Sequence, residues 1–311
     1  MPEIASPSAS TLTPAKTARQ RTDTFTSIWM MIAVAMALAT LVAKSRMPQP
    51  LWTMIHLVTL GVLSNGIFQW SWFFARSLAR LSADDPRARR HNTIRVLIFN
   101  AFFASLFVSM WLGWMVGTVI AATGIAAVAA WHGAEMLSVL RERLASRFVV
   151  VVRYYVCSAS FFVLAALLAS FVTATMFSPS IPEAMVAMRD RLTLAHALSG
   201  VAGWVGLTIG GTVITLGPTI LRTRMSPDAV SGGVRVLLPW CLSLLLAIAG
   251  ALLGVMSLVG AGILAVGACA IVGIVYPYAK VLRNKGPREY SAWSFLLGLL
   301  WISVGVCALG V

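Results

Sequence analysis

Charge is scarce in this 311-residue chain. Only 11% of residues are Asp, Glu, Lys or Arg, against about a quarter in ordinary soluble proteins. Acidic residues number ten, and histidines and cysteines four each. So little charge excludes a soluble globular domain and a disordered chain. The four cysteines, Cys157, Cys241, Cys269 and Cys307, all fall in apolar runs without a CxxC. A secreted disulfide scaffold is thereby excluded, and the thiols read as small packing hydrophobes. No P-loop, GxSxG, HExxH or strand-linked GxGxxG occurs. The loops are too short for a soluble catalytic domain.

Long apolar runs are plentiful. Hydrophobic residues make up 59% of the chain and mean hydropathy is +0.86. A helix needs ~20 apolar residues to cross a bilayer. Nine stretches qualify: 27–43, 51–75, 94–111, 113–138, 149–177, 192–221, 236–256, 258–279 and 291–311. The fold class is therefore all-α, a polytopic helical membrane protein. Residues 1–26, rich in Ser, Thr, Pro and Ala, read as a flexible tail. Gly217-Pro218 in the sixth stretch predicts tilt or a kink.

The net charge of +14 is resolved by position. Twenty of the twenty-four Lys and Arg residues fall in the N-terminal tail and alternate loops. Only Lys44, Arg46, Arg189 and Arg191 fall in the other set. The positive-inside rule then predicts a multi-pass plasma-membrane protein with a cytoplasmic N-terminus and an extracellular C-terminus. The same partition accounts for the basic charge without nucleic acid, and no nucleic-acid motif is present.

A shift of about 140 residues aligns His56 with His196 and Arg95-Val96-Leu97 with Arg235-Val236-Leu237. Ser82–Asp85 and Ser226–Ala229 match at a similar shift. Four spans separate the copies, so this predicts a parallel duplication. The domains expected are a tail (1–26), a first four-helix repeat (27–145), a second (146–285) and a ninth span (286–311).

Ionisable residues inside a membrane are functional candidates by default. His56 and His196 lie one or two turns past the outer ends of the second and sixth spans. Two imidazoles at one depth, on corresponding helices, suit the ligation of haem iron or copper. Packing or interfacial hydrogen bonding is the plainer alternative. Met54, Met185 and Met188, with Met176, lie near that end, and thioether sulfur suits copper(I). Gly200, Gly203, Gly206, Gly210 and Gly211 permit close approach of a macrocycle or, more commonly, of a helix. His132 and Glu135, at i, i+3 on the fourth span, share a face. Glu135 is expected to pair with Arg95 or Arg153. Asn65 and Gln69 are expected to bond across helices. His91 reads as a solvated loop residue. Trp70, Trp72, Tyr154, Tyr155, Tyr276 and Tyr278 read as interface belts.

The segments His56-Leu-Val-Thr-Leu-Gly61, His196-Ala-Leu-Ser-Gly200 through Gly211-Thr212, and Pro218-Thr-Ile-Leu-Arg222-Thr-Arg224 carry a resemblance across most of residues 50–240. They resemble the polytopic membrane domain of actinobacterial copper-oxidase-like proteins. That group is more distantly similar to NnrS-type haem- and copper-containing membrane proteins and to the haem-copper oxidase main subunit. The resemblance implies that His56 matches a haem ligand and His196 a copper ligand. The oxidase subunit's adjacent histidine pair has no counterpart, and no histidine follows His196. The implied function is haem or copper binding for electron transfer, copper handling or nitric-oxide response, without dioxygen reduction. The implied partners are an extracellular cupredoxin region or a respiratory-chain protein. A permease and a cofactor-free scaffold subunit of a respiratory complex remain open as alternatives.

The charge partition predicts sidedness directly. In a cysteine-free background, Asp84→Cys should react with an impermeant thiol reagent only from the cytoplasmic side. Trp114→Cys should react only from outside. Labelling of both from one side would contradict the expected orientation.

Overall fold

The computed structural model describes residues 14–43, 46, 48–82, 84–88, 90–142, 149–178, 180–224, 227–284 and 286–310. Among them there is no strand. Among the described residues, nine helices are long and apolar enough to cross a membrane. They are α1 (Pro14–Ala43), α2 (Pro50–Leu78), α3 (Arg90–Trp111), α4 (Met115–Glu142), α5 (Val149–Phe177), α6 (Arg189–Ile220), α7 (Pro227–Leu253), α8 (Met256–Arg283) and α9 (Tyr290–Gly310). A short helix, Glu183–Ala187, precedes α6.

The part of the expected tail from 14 to 26 is helical. Residues 1–13 lie outside the described residues, and α1 begins at Pro14. Proline suits a first helical turn, and the Ala, Lys, Arg and Gln that follow have good helix propensity. Of the loop cations, Lys44, Arg89, Arg143, Arg147 and Lys285 also lie outside the described residues, as do Ala83 and Ser226.

Two buried cores share the molecule. One is built mainly from α1–α4, with Phe68, Phe99, Phe103 and Ile125. The other is built mainly from α5–α8, with Tyr154, Leu207, Ile214 and Trp240. α5 belongs to both and packs against α4 and α6. α9 packs on α8.

Backbone features recur about 141 residues apart. Gly113 has φ +66° and Gly254 φ +74°. At each, the chain turns on the same pair of hydrogen bonds. Trp114 N donates to Ser109 O and Gly113 N to Met110 O. Val255 N donates to Gly250 O and Gly254 N to Ala251 O. These are Schellman turns closed by a left-handed glycine. At the other end of the bundle, Arg80 (φ 52°) and Arg222 (φ 50°) end α2 and α6 on a matching pair of bonds. These arginines stand 142 residues apart. Asp228 and Ala229 already belong to the first turn of α7. α2 and α6 each contain a π-helical stretch, Leu57–Ser64 and Leu198–Gly206.

Pro218 lies in the last turn of α6. Proline lacks the N–H that would bond to Ile214 O. The Tyr278 hydroxyl reaches that turn, donating to Val213 O at 2.6 Å and lying 3.4 Å from Ile214 O. Gly217 admits it, since a Cβ there would stand 2.4 Å from the Tyr278 hydroxyl oxygen.

The aromatic belt reading needs correction. Trp70 and Tyr276 are exposed, but Trp72, Tyr154, Tyr155 and Tyr278 are buried. The Tyr154 hydroxyl donates to Gly233 O, and that of Tyr155 bonds Thr212. Hydropathy places a residue along a span and leaves its direction around the helix open, and these tyrosines point inward.

The loop between α2 and α3 is pinned by Arg87, which binds Asp85, Ser138 and Glu142. Hydrogen bonding to Arg87 holds the Asp85 carboxyl below the usual carboxylate range.

Only glycine is at ease with φ near +66°, whereas Gly66 lies inside a helix with open space about its Cβ position. Gly113→Ala should therefore cost about 1–2 kcal/mol. Gly66→Ala should gain about 0.5–1 kcal/mol. Denaturation in detergent with both variants in parallel should show the opposite signs.

Candidate functional site

The structure brings His56 and His196 together. Their ring centres lie 6.0 Å apart, with planes 16° from parallel. Each ring is oriented by a backbone carbonyl. His56 Nδ1 is 2.9 Å from Trp52 O, and His196 Nδ1 is 2.8 Å from Ala165 O. A carbonyl only accepts, so both Nδ1 atoms carry hydrogen. Each neutral ring then keeps its lone pair on Nε2. The Trp52 indole stacks on His56, at 4.4 Å and 19°.

Local structure explains the placement. The π-helical stretch of α2 begins one residue after His56, and that of α6 two residues after His196. Such stretches are rare and frequently mark functional sites. The two stretches touch, and the Trp204 indole N–H donates to Ser64 Oγ at 3.0 Å. Each stretch also holds a glycine under an aromatic side chain of the preceding span. A Cβ on Gly61 would lie 3.1 Å from Trp29 Cβ, and one on Gly203 would lie 2.5 Å from Phe161 Cβ.

Most of the glycines of α6 face side chains of neighbouring helices, whereas Gly206 faces only its own backbone. Ala165 and Phe161 of α5 face Gly200 and Gly203, and Tyr154 faces Gly211. Close helix approach accounts for Gly203 and Gly211. The candidate methionines are spread over α2 and the short helix before α6. Met54 is two residues from His56, and residues at i, i+2 of a helix do not share a face. Met185 lies on the short helix before α6, and Met188 is exposed at that helix's end. Among the described residues, no group of three or more His, Cys, Asp or Glu is placed to hold a metal ion.

The other polar candidates form two separate arrangements. Asn65 and Asn100 exchange amide hydrogen bonds of 3.2 and 2.7 Å across α2 and α3. The Trp29 indole of α1 also donates to Asn100 Oδ1, at 2.6 Å. Gln69 reaches Thr26 Oγ1 of α1 at 3.4 Å. Asn100 was passed over in the sequence, although a lone amide amid the apolar run of the third span was the available signal.

Toward the arginine-rich end, Glu135 binds the buried Arg95, whose Nη1 is 2.6 Å from Oε2. Arg153, the other partner considered, is exposed. His91 is not a solvated loop residue. It lies in the first turn of α3 with Nδ1 2.7 Å from Glu135 Oε1. The Trp131 indole donates to the same oxygen at 2.9 Å. A buried carboxylate needs such partners, and the helix start supplies one. His132 turns instead to Ser71 Oγ, 3.0 Å from its Nε2, and to the rings of Phe68 and Trp204.

No protein-family model, no curated protein and no solved structure matches the chain.

The Asn100 amide is shared by three helices, so its loss should be felt across them. Asn100→Leu leaves Asn65 and Trp29 without their partner and should cost about 1–3 kcal/mol. Unfolding in detergent compared with Asn65→Leu and the double variant would measure it. The double variant should cost less than the two single ones together.

Proposed function

We propose that His56 and His196 ligate one metal centre, haem iron or a copper(I) ion, in a membrane protein of electron transfer, copper handling or nitric-oxide response. The observation that carries this reading is the pair itself. Two imidazoles from different spans lie 6.0 Å apart with nearly parallel rings, and each Nδ1 is tied to a carbonyl. His56 and His196 would hold such a centre through their Nε2 atoms.

The donor set narrows the occupant. Two protein ligands are too few for a tetrahedral zinc site. They suffice for haem, whose macrocycle supplies four further donors, or for a soft cation content with two ligands. Such a group would supply a one-electron couple when bound. The chain's own part is to hold two Nε2 lone pairs ready. Trp52 O and Ala165 O fix the tautomers, as carbonyl partners do for metal-bound histidines generally. The stacked Trp52 indole shields one face of His56 from lipid.

We also read the scaffold as a parallel duplication of four helices with α9 added, basic loops facing the cytoplasm. The recurrence of the Gly113 and Gly254 turns, the Arg80 and Arg222 caps and the π-helical stretches supports this reading. The similarity to copper-oxidase-like membrane domains fits the same proposal, with a cupredoxin or respiratory-chain protein as the partner. Dioxygen reduction is left out, because the further histidines that it uses in the oxidase subunit have no counterpart here.

Purification from cells supplied with both haem and copper tests the reading. The expected result is a Soret band or about one copper per chain, lost in His56→Ala and in His196→Ala while the melting temperature shows a folded protein. A colourless, copper-free wild type would overturn it.

A further inference from the structure

Two of the four cysteines meet in the second half of the molecule, on helices that carry neither His56 nor His196. Cys157 lies on α5 and Cys241 on α7. The contacts between these helices ascend together, so the two run in the same direction. Near their starts, a Cβ on Gly233 would lie 3.6 Å from Val150 Cγ2, and the Tyr154 hydroxyl donates to Gly233 O at 3.0 Å. Further along, the Tyr154 and Trp240 rings meet edge to face, with centres 6.2 Å apart. Cys157 stands seven residues after Val150, and Cys241 eight after Gly233. Residues at i+7 and i+8 return to the face of residue i. The contact of Val150 with Gly233 therefore carries the two thiols toward each other two turns on. They lie within hydrogen-bond reach of one another.

Packing as small hydrophobes explains a cysteine singly and does not use this pairing. A thiolate is among the softest donors in a protein, and it selects soft cations. Both residues are half-buried and neither is in a disulfide. Among the described residues, no third His, Cys, Asp or Glu joins them in a metal-holding group. Two sulfurs are too few for tetrahedral zinc, and calcium and magnesium require oxygen ligands. A soft monovalent cation is content with two sulfur ligands. Net charge is costly within a membrane, so the occupied site should be neutral.

The geometry points to a sulfur site for a soft monovalent d10 cation, copper(I) or silver(I), bridging Cys157 of α5 and Cys241 of α7. One S–H bond breaks and its proton leaves to solvent. The cation bonds to the resulting thiolate and to a sulfur lone pair of the second thiol. Nothing is oxidised or reduced, and the charge of the cation replaces that of the proton. The bridge fastens α7 to α5, the helix that belongs to both cores. The site stands whether or not the histidine pair holds a metal.

Silver(I) binding to the full chain in detergent tests it, with excess free methionine present to strip ions held by thioethers. X-ray absorption of the bound silver should show sulfur neighbours, and about one proton should be released per ion. That ion should be lost in Cys157→Ala and in Cys241→Ala, and kept in Cys269→Ala and Cys307→Ala, with melting temperatures showing folded chains. Cys157→Ser and Cys241→Ser serve if the alanine variants do not fold. An ion on the histidine pair would show nitrogen neighbours and survive all four cysteine substitutions, so the two sites fail separately. No sulfur-bound silver in the wild type would overturn the proposal. So would sulfur-bound silver that persists in a folded Cys157 or Cys241 variant, or that is lost in Cys269→Ala or Cys307→Ala.

Discussion

Hydrocarbon offers no hydrogen bonds, and this constraint governs the rest of the structure. A span that carries an amide, a carboxylate or an imidazole must find its partner on another helix, on its own backbone or in enclosed water. Burial of apolar surface cannot hold these helices together, because lipid tails are as apolar as leucine. Specific packing and polar contacts do so instead. Asn65, Asn100 and Trp29 tie α1, α2 and α3. Ser64 and Trp204 tie α2 to α6 across the centre. Arg95 and Glu135 tie α3 to α4. Glycines let the helices approach closely enough for such short side chains to meet.

The architecture was legible because its determinants are linear. Span length and hydropathy are properties of a run of residues, and each of the nine helices among the described residues overlaps the run that announced it. The limits were equally physical. The helix that starts at Pro14 carries its first turns outside the apolar run, so hydropathy does not see them. Trp72, Tyr154, Tyr155 and Tyr278 lie where an interface belt would, but a one-dimensional profile holds no azimuth; all four rings turn inward, and the three tyrosines bond backbone carbonyls and a threonine.

The polar sites divide along the same line. The placement of His56 and His196 was suggested by an interval, because similar helices in similar positions bring equivalent residues to one depth. What steadies each ring was not legible, since Trp52 O and Ala165 O are backbone atoms without a sequence signature. Glu135 had two candidate partners at similar depth, and only packing separates the buried Arg95 from the exposed Arg153. Met54 was suggestive by proximity in sequence, yet two residues along a helix carry a side chain to nearly the opposite side.

The π-helical stretches tie these levels together. In each, extra backbone is accommodated without breaking the helix, and every residue beyond it is rotated relative to an uninterrupted α-helix. Above the stretch, α2 and α6 present their imidazoles to each other. Below it, they present Asn65 and Ser71, or Thr208 and Thr212, to different neighbours. The widened turns thus act as angular joints. They let the upper and lower parts of one rod answer to separate packing demands, so that the lower half of the bundle can hold a buried Arg95 beside Glu135 while the upper half keeps the His56 and His196 ring centres 6.0 Å apart.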